Sequence, residues 1–276
     1  MDICDKHRAK ATFFVDVYMH HHYGKTAVRD LCREIHRSGH DVQLHAHTSW
    51  LPGSGSGRLC DFSKREQIEI VTEGKRLIED WIGKAPIAFR AGAYTANLDT
   101  ITALEQSGFR VDSSYFAFHA NCGLSSEMGN RFINRPFHIG NILEIPVTCY
   151  WLARGLGYQK LSKLDINACS NAEMTEIIPK LIRGKVDYIV LFLHSFSFIR
   201  WKRDLSGVEP NHRAIERFEA LLHAITTADY YAGFSTMADI AERLLDGTHM
   251  NNDFVPALNP VHIVPRALQR LMESRL

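Results

Sequence analysis

Ala11-Thr-Phe-Phe-Val-Asp-Val17 and, after a helical stretch, Gly39-His-Asp-Val-Gln-Leu-His-Ala-His47 decide the reading of this chain. The first run is dense in aromatic and β-branched residues and reads as a buried strand. The second reads as another strand, Asp41 to His47, ending in two histidines. Between them Thr26 is a candidate N-cap, Val28, Leu31, Cys32 and Ile35 recur at helical spacing, and Gly39 is the stop. A strand, a helix and a strand at this spacing form a unit of a parallel sheet.

Outward from that unit the alternation continues. A Gly/Ser-rich loop, 52–57, leads into a helix opened by the capping-box pair Ser63 and Glu66, with an apolar stripe of Ile68, Val71, Ile78 and Ile82. Strands are expected at 87–90, 109–112, 142–148, 188–193 and near 230–234. Helices are expected at 98–106, from Ser170 with its partner Glu173, over 211–225 and over 237–245, with Pro179 kinking or shortening the second of these. Residues 113–135 read as a long loop of the kind that carries function in barrels, and 149–168 as irregular.

The chain has 276 residues, 45% of them apolar and 23% charged, the balance of a globular domain with a sizeable core. Lys and Arg number 32 against 31 Asp and Glu, so no general attraction to nucleic acid or anionic membranes is expected. No run approaches the roughly 18 apolar residues of a membrane span. Met1–Lys10 has no apolar signal core, and six cysteines are scattered without a Cys-x-x-Cys pair. A reduced, cytoplasmic protein is the expectation. One barrel domain is expected over 1–247, followed by a strap with a terminal helix over 248–276.

In parallel α/β barrels the chemistry gathers at the carboxyl ends of the strands. Asp16, His45, His47, Arg90, Asp112 and His194 stand at such ends. His45 and His47 lie two apart on a strand and project to one face, where two neutral imidazoles suit zinc, although hydrogen-bonded cleft histidines would share the pattern. His194 follows Leu191-Phe-Leu193, an apolar setting that lowers an imidazole pKa towards general-acid use, although a buried histidine held by a carbonyl reads the same. Arg90 needs an anion if buried, with Asp112 or Asp16 as candidates. His20–His22 reads as a solvated or substrate-facing loop, because consecutive loop histidines converge poorly on one ion.

In order, Lys10-Ala-Thr-Phe-Phe-Val15, Gly39–His47, Phe89-Arg-Ala-Gly-Ala-Tyr94, Gly108-Phe-Arg-Val-Asp-Ser-Ser114, Glu144-Ile-Pro-Val147 and Leu191-Phe-Leu-His194 resemble the polysaccharide deacetylases, the NodB-homology carbohydrate esterases. The similarity runs over about residues 1–245. It implies a distorted (β/α)7 barrel, TIM-like, and a divalent metal, usually zinc, held by one aspartate and two histidines. It also implies hydrolysis of an acetyl group on a sugar, in which the histidine matching His194 protonates the leaving amine. On this resemblance His45, His47 and Asp16 are the metal candidates, His194 and Arg90 the catalytic ones, and Tyr94 and Asp112 the substrate-binding ones.

The sequence departs from the family pattern in three places. The second histidine follows the first by two positions, since Ser49 stands four after His45. The arginine segment reads Arg-Ala-Gly-Ala-Tyr instead of Arg-x-Pro-Tyr. Only ten residues precede Ala11, so the family's first strand with its paired aspartates is expected to be missing, through a misplaced start or a degraded domain. Such a loss would leave an open sheet edge through which a homo-oligomer could pair. The sequence therefore supports a metal-dependent deacetylase of an N-acetylated sugar, in a polysaccharide or linked to a nucleotide. Its alternative is a non-catalytic carbohydrate-binding or scaffolding barrel that has lost the catalytic aspartates.

Overall fold

A computed structural model describes residues 1–155, 158–202, 204–231, 233–244 and 252–262. The chain divides into two compact units. The first comprises the described residues of Met1–Phe132, Pro136–Pro146 and Phe234–Asn251, and the second those of Ile133–Arg135, Val147–Gly233 and Asn252–Leu276.

The first unit is built on one six-stranded sheet. β1 (Thr12–Asp16), β2 (Asp41–Ala46), β3 (Ala88–Ala91), β4 (Val111–Asp112) and β6 (Ile142–Glu144) run parallel, and β5 (Phe137–Ile139) closes the row antiparallel to β6. The order is β1-β2-β3-β4-β6-β5. This corrects the expected barrel: among the described residues the sheet is open, with β1 at one edge and β5 at the other. Tyr188–Leu193 forms no strand there; Phe192 makes a single bridge to Asp165 in the second unit. Nor do the described residues near 230–234 form a strand.

The helices between these strands are α1 (Asp2–Lys6), α2 (His20–Tyr23), α3 (Lys25–Arg37), α4 (Lys64–Ile82), α5 (Leu98–Gln106) and α6 (Gly123–Glu127). α3 begins after Gly24 instead of Thr26, and buries Val28, Cys32 and Ile35 while Leu31 stays exposed. α4 has the expected capping box, in which Ser63 accepts from the Glu66 N–H while the Glu66 carboxylate accepts from the Ser63 N–H. Its buried stripe is rotated from the expected one, to Gln67, Val71, Gly74, Leu77, Ile78 and Trp81. The cause is Gly74, which brings the helix so close to the sheet that a Cβ there would lie 2.5 Å from the Tyr18 hydroxyl and 2.7 Å from Leu44 Cδ1.

The polar side of the sheet is stitched across strands. Gln43, buried on β2, accepts from the N–H of Ile87 at 2.9 Å and of Ala88 at 2.7 Å, and donates to Asp41 at 2.7 Å. α9 (Met237–Leu244) joins this unit from far along the chain, its Met237 N–H bonding the Thr12 hydroxyl at 2.8 Å.

In the second unit, the stretch 149–168, expected to be irregular, contains a hairpin of β7 (Cys149–Gly155) and β8 (Tyr158–Lys163). α7 (Asn171–Arg183) has the expected Ser170–Glu173 capping box and runs on past Pro179 to Arg183, so the proline does not end it. β9 (Ile199–Trp201) pairs with β10 (Val208–Pro210), and α8 (His212–Thr226) follows, capped by Asn211. Asn134 pairs with the backbone of Cys149 through both its amide groups and also donates to the Phe254 carbonyl. The terminal helix expected near the end of the chain, and the last residue of the helix expected over 237–245, lie outside the described residues.

Candidate functional site

Parallel pairing lines up the ends of β1, β2 and β3. Asp16 is the register partner of His45, and His45 that of Arg90. Register partners in a sheet project to the same face, so these three side chains emerge in one row at the carboxyl edge. His47 continues the same face two residues beyond His45, and their ring centroids are 4.8 Å apart and nearly perpendicular.

Each member is held by local geometry. His45 Nδ1 lies 2.7 Å from the Arg90 carbonyl oxygen, which can only accept, so Nδ1 carries the hydrogen and the neutral ring has its lone pair on Nε2. Asp16 caps the turn after β1, one oxygen accepting from the Tyr18 N–H at 3.2 Å and the other from the His47 N–H at 3.2 Å. The carboxylate thereby fixes the backbone that carries His47. Burial pushes the Asp16 carboxyl up to about 7, against the opposing pull of those two N–H groups.

Arg90 donates to the Ser113 carbonyl at 3.0 Å and its hydroxyl at 2.8 Å, and its guanidinium lies 4.4 Å from the centre of the Phe14 ring. Burial lowers its pKa, with Tyr94, Asp112 and Glu144 pulling the other way. Its contacts therefore anchor the floor of the row more than they present a cation to solvent.

After Arg90 the chain turns sharply. Gly92 packs against β2 so tightly that a Cβ would sit 2.5 Å from His47 Nδ1 and 2.6 Å from the Ala46 carbonyl. Ala93 and Tyr94 then adopt left-handed backbone, with φ of 50° and 63°, where residues other than glycine are uncommon. Tyr94 is half-buried and meets Phe116 and His119 edge-on at 5.2 and 5.1 Å.

Asp112 stands elsewhere. It is the register partner of Phe89, not of Arg90, so it projects to the opposite face, where it is fully buried with Glu144, its partner on β6. The Ser114 hydroxyl donates to Asp112 at 2.6 Å and the Tyr115 N–H to Glu144 at 3.0 Å. Burial raises both carboxyls, and Glu144 is raised further by facing Asp112. Both raised carboxyls favour the protonated form. Glu144 was read only as part of a motif and not as a site residue, although a lone carboxylate among Ile142, Leu143, Ile145 and Val147 was the available signal.

His194 belongs to the second unit. It is exposed, not buried in an apolar strand, and lies stacked on Phe196 with centroids 4.8 Å apart.

The structure thus brings Asp16, His45, His47 and Arg90 together and leaves Asp112 on the other face. Two imidazoles suit a divalent metal, and the tautomer of His45 suits a ligand at Nε2. A third donor is not in place: both Asp16 oxygens serve backbone N–H groups, and among the described residues no three His, Cys, Asp or Glu side chains converge to hold a metal. No helix among the described residues is long and apolar enough to cross a membrane.

Residues 1–111, the segment carrying this row, match the polysaccharide deacetylase family model. The match falls on the stretch whose first motifs carry the resemblance. Among solved structures, a protein of Mycobacterium smegmatis assigned to the polysaccharide deacetylases is similar with a TM-score of 0.56 at 21% identity, over 89% of this chain and 75% of that one. The 4-alpha-glucanotransferase of Thermococcus litoralis is similar with a TM-score of 0.52 at 12% identity, over 93% of this chain and 36% of that one. At these identities the likeness is one of fold. No curated protein matches the chain in sequence.

Proposed function

We propose that this chain is a hydrolase that removes an acetyl group from an N-acetylated sugar, adding water across the amide to leave acetate and a sugar amine. The observation that carries the reading is the row of Asp16, His45 and Arg90, aligned by parallel register at the carboxyl edge inside the segment that matches the deacetylase family.

In this reading the acetyl group sits against the end of β2 that carries His45 and His47, and Asp16 holds His47 in place through its backbone. Arg90 fixes the tautomer of His45 with its carbonyl. A divalent metal, zinc first, belongs to the proposal on the strength of the family resemblance. His45 and His47 would hold it, with Asp16 the nearest carboxylate, and it would supply polarisation of the acetyl carbonyl. The resemblance gives His194 the protonation of the leaving amine, a part tested by substitution.

The experiment is release of acetate from an N-acetylglucosamine oligomer, with metal content measured on the same untagged protein. Acetate release with about one zinc per chain, both lost in His45→Ala, supports the proposal. A folded wild type that releases no acetate from N-acetylated sugars, with or without added zinc, refutes it.

A further inference from the structure

Beside the row, at the same carboxyl edge, the chain sets three rings together that the chemistry above does not use. His22 and Tyr23 come from α2, after β1, and Trp50 from the turn after β2. The His22 and Tyr23 centroids are 4.6 Å apart, His22 and Trp50 5.6 Å, and Tyr23 and Trp50 5.7 Å. Buried aromatic clusters are ordinary core, but this one is not buried: Tyr23 is 55% exposed, His22 is exposed and Trp50 is half-exposed. The turn carrying Trp50 starts from His47, whose carbonyl accepts from the Trp50 N–H at 3.3 Å. The cluster is therefore tied to the backbone of the site.

From this geometry we infer that Tyr23 and Trp50, braced by His22, form a stacking subsite for a neutral sugar ring next to the acetylated one. The inference rests on the deacetylase reading and narrows its substrate to an oligosaccharide or polysaccharide. A pyranose has an apolar C–H face and a rim of hydroxyls. A cluster of π-faces edged by a phenol, an indole N–H and imidazole nitrogens is complementary to both. None of the three is a carboxylate, lysine or arginine, so the cluster offers no fixed cation to the diphosphate of a nucleotide-linked sugar. Its position one turn beyond His47 suits a ring linked to the reacting residue, not the reacting residue itself.

The test compares the tetramer of N-acetylglucosamine with the monosaccharide, by calorimetric binding and by acetate release, on wild type, Trp50→Ala, Tyr23→Ala and the control Trp201→Ala. The tetramer should bind wild type more tightly than the monosaccharide does. Trp50→Ala and Tyr23→Ala should each weaken tetramer binding by about tenfold and raise its KM, leaving monosaccharide binding and kcat unchanged. Trp201→Ala should behave as wild type. Tetramer binding that is absent in wild type, or unaffected in Trp50→Ala and Tyr23→Ala, overturns the inference. Binding that depends on both rings without any acetate release upholds the subsite while refuting the deacetylase reading, so the two fail separately.

Discussion

Gly92 has no room for a side chain, because the space its Cβ would take is already filled by the His47 ring and the Ala46 carbonyl. Gly92→Ala should therefore displace His47, costing stability by about 1–3 kcal/mol through overpacking. It should also lower acetate release well beyond what the stability loss explains; thermal unfolding and activity on the same sample would separate the two. Such a position is hard to see in sequence, where Arg-Ala-Gly-Ala-Tyr reads only as a departure from Arg-x-Pro-Tyr. Asp16, His45, His47 and Arg90 were legible because parallel strands of known phase place their ends together. The bonds that hold them were not: neither the Asp16 contact with the His47 N–H nor the tautomer of His45 has a signature in residue order.

Between elements, the sheet depends on two buried polar contacts that apolar residues could not replace. Gln43 satisfies two N–H groups at the start of β3, and Gln43→Leu should destabilise the fold by about 2–4 kcal/mol, measured by denaturant unfolding, because both are left unpaired. Asp112 and Glu144 face each other across β4 and β6, where burial of the two carboxyls favours a bound proton. Both carboxyls are raised on folding, so the folded chain binds that proton more tightly than the unfolded chain. Their stabilising contribution is then full below the ordinary carboxylate range and lost as pH climbs through the raised values. Asp16, raised to about 7, adds to the same slope. The denaturant midpoint should accordingly fall as pH climbs from the ordinary carboxylate range through about 7, and Glu144→Gln, whose amide can donate to Asp112, should make that fall shallower. The capping boxes at Ser63 and Ser170 were readable, since their residues are local. The sequence put Asp112 at a strand end but not on a face, because a two-residue strand has no alternation from which to take its phase. The β7–β8 hairpin was missed because its polar and glycine-containing sequence offers little periodicity, and its register is set by pairing across the turn.

For the molecule as a whole, the β/α alternation in the sequence was sound as far as β6 and misleading beyond it. Val147–Gly233 belongs to a second compact unit, whereas the sequence read as one continuous barrel, because an apolar run such as Tyr188–Leu193 does not reveal which neighbours it will have. The chain leaves the first unit after β6 and returns with α9, whose first residues bond Thr12 on the edge strand β1 and Asp41 on its neighbour β2. Those contacts join positions 225 and 197 residues apart, so during synthesis β1 can pair with β2 early, whereas the bonds from α9 to Thr12 and Asp41 wait until α9 has been made. A chain cut after Gly233 should therefore show faster amide exchange over Thr12–Asp16 than the chain that includes α9. The nascent sheet would spend the synthesis of nearly a hundred residues with that edge unguarded, a window in which a holding chaperone, and not the finished structure, decides whether it aggregates.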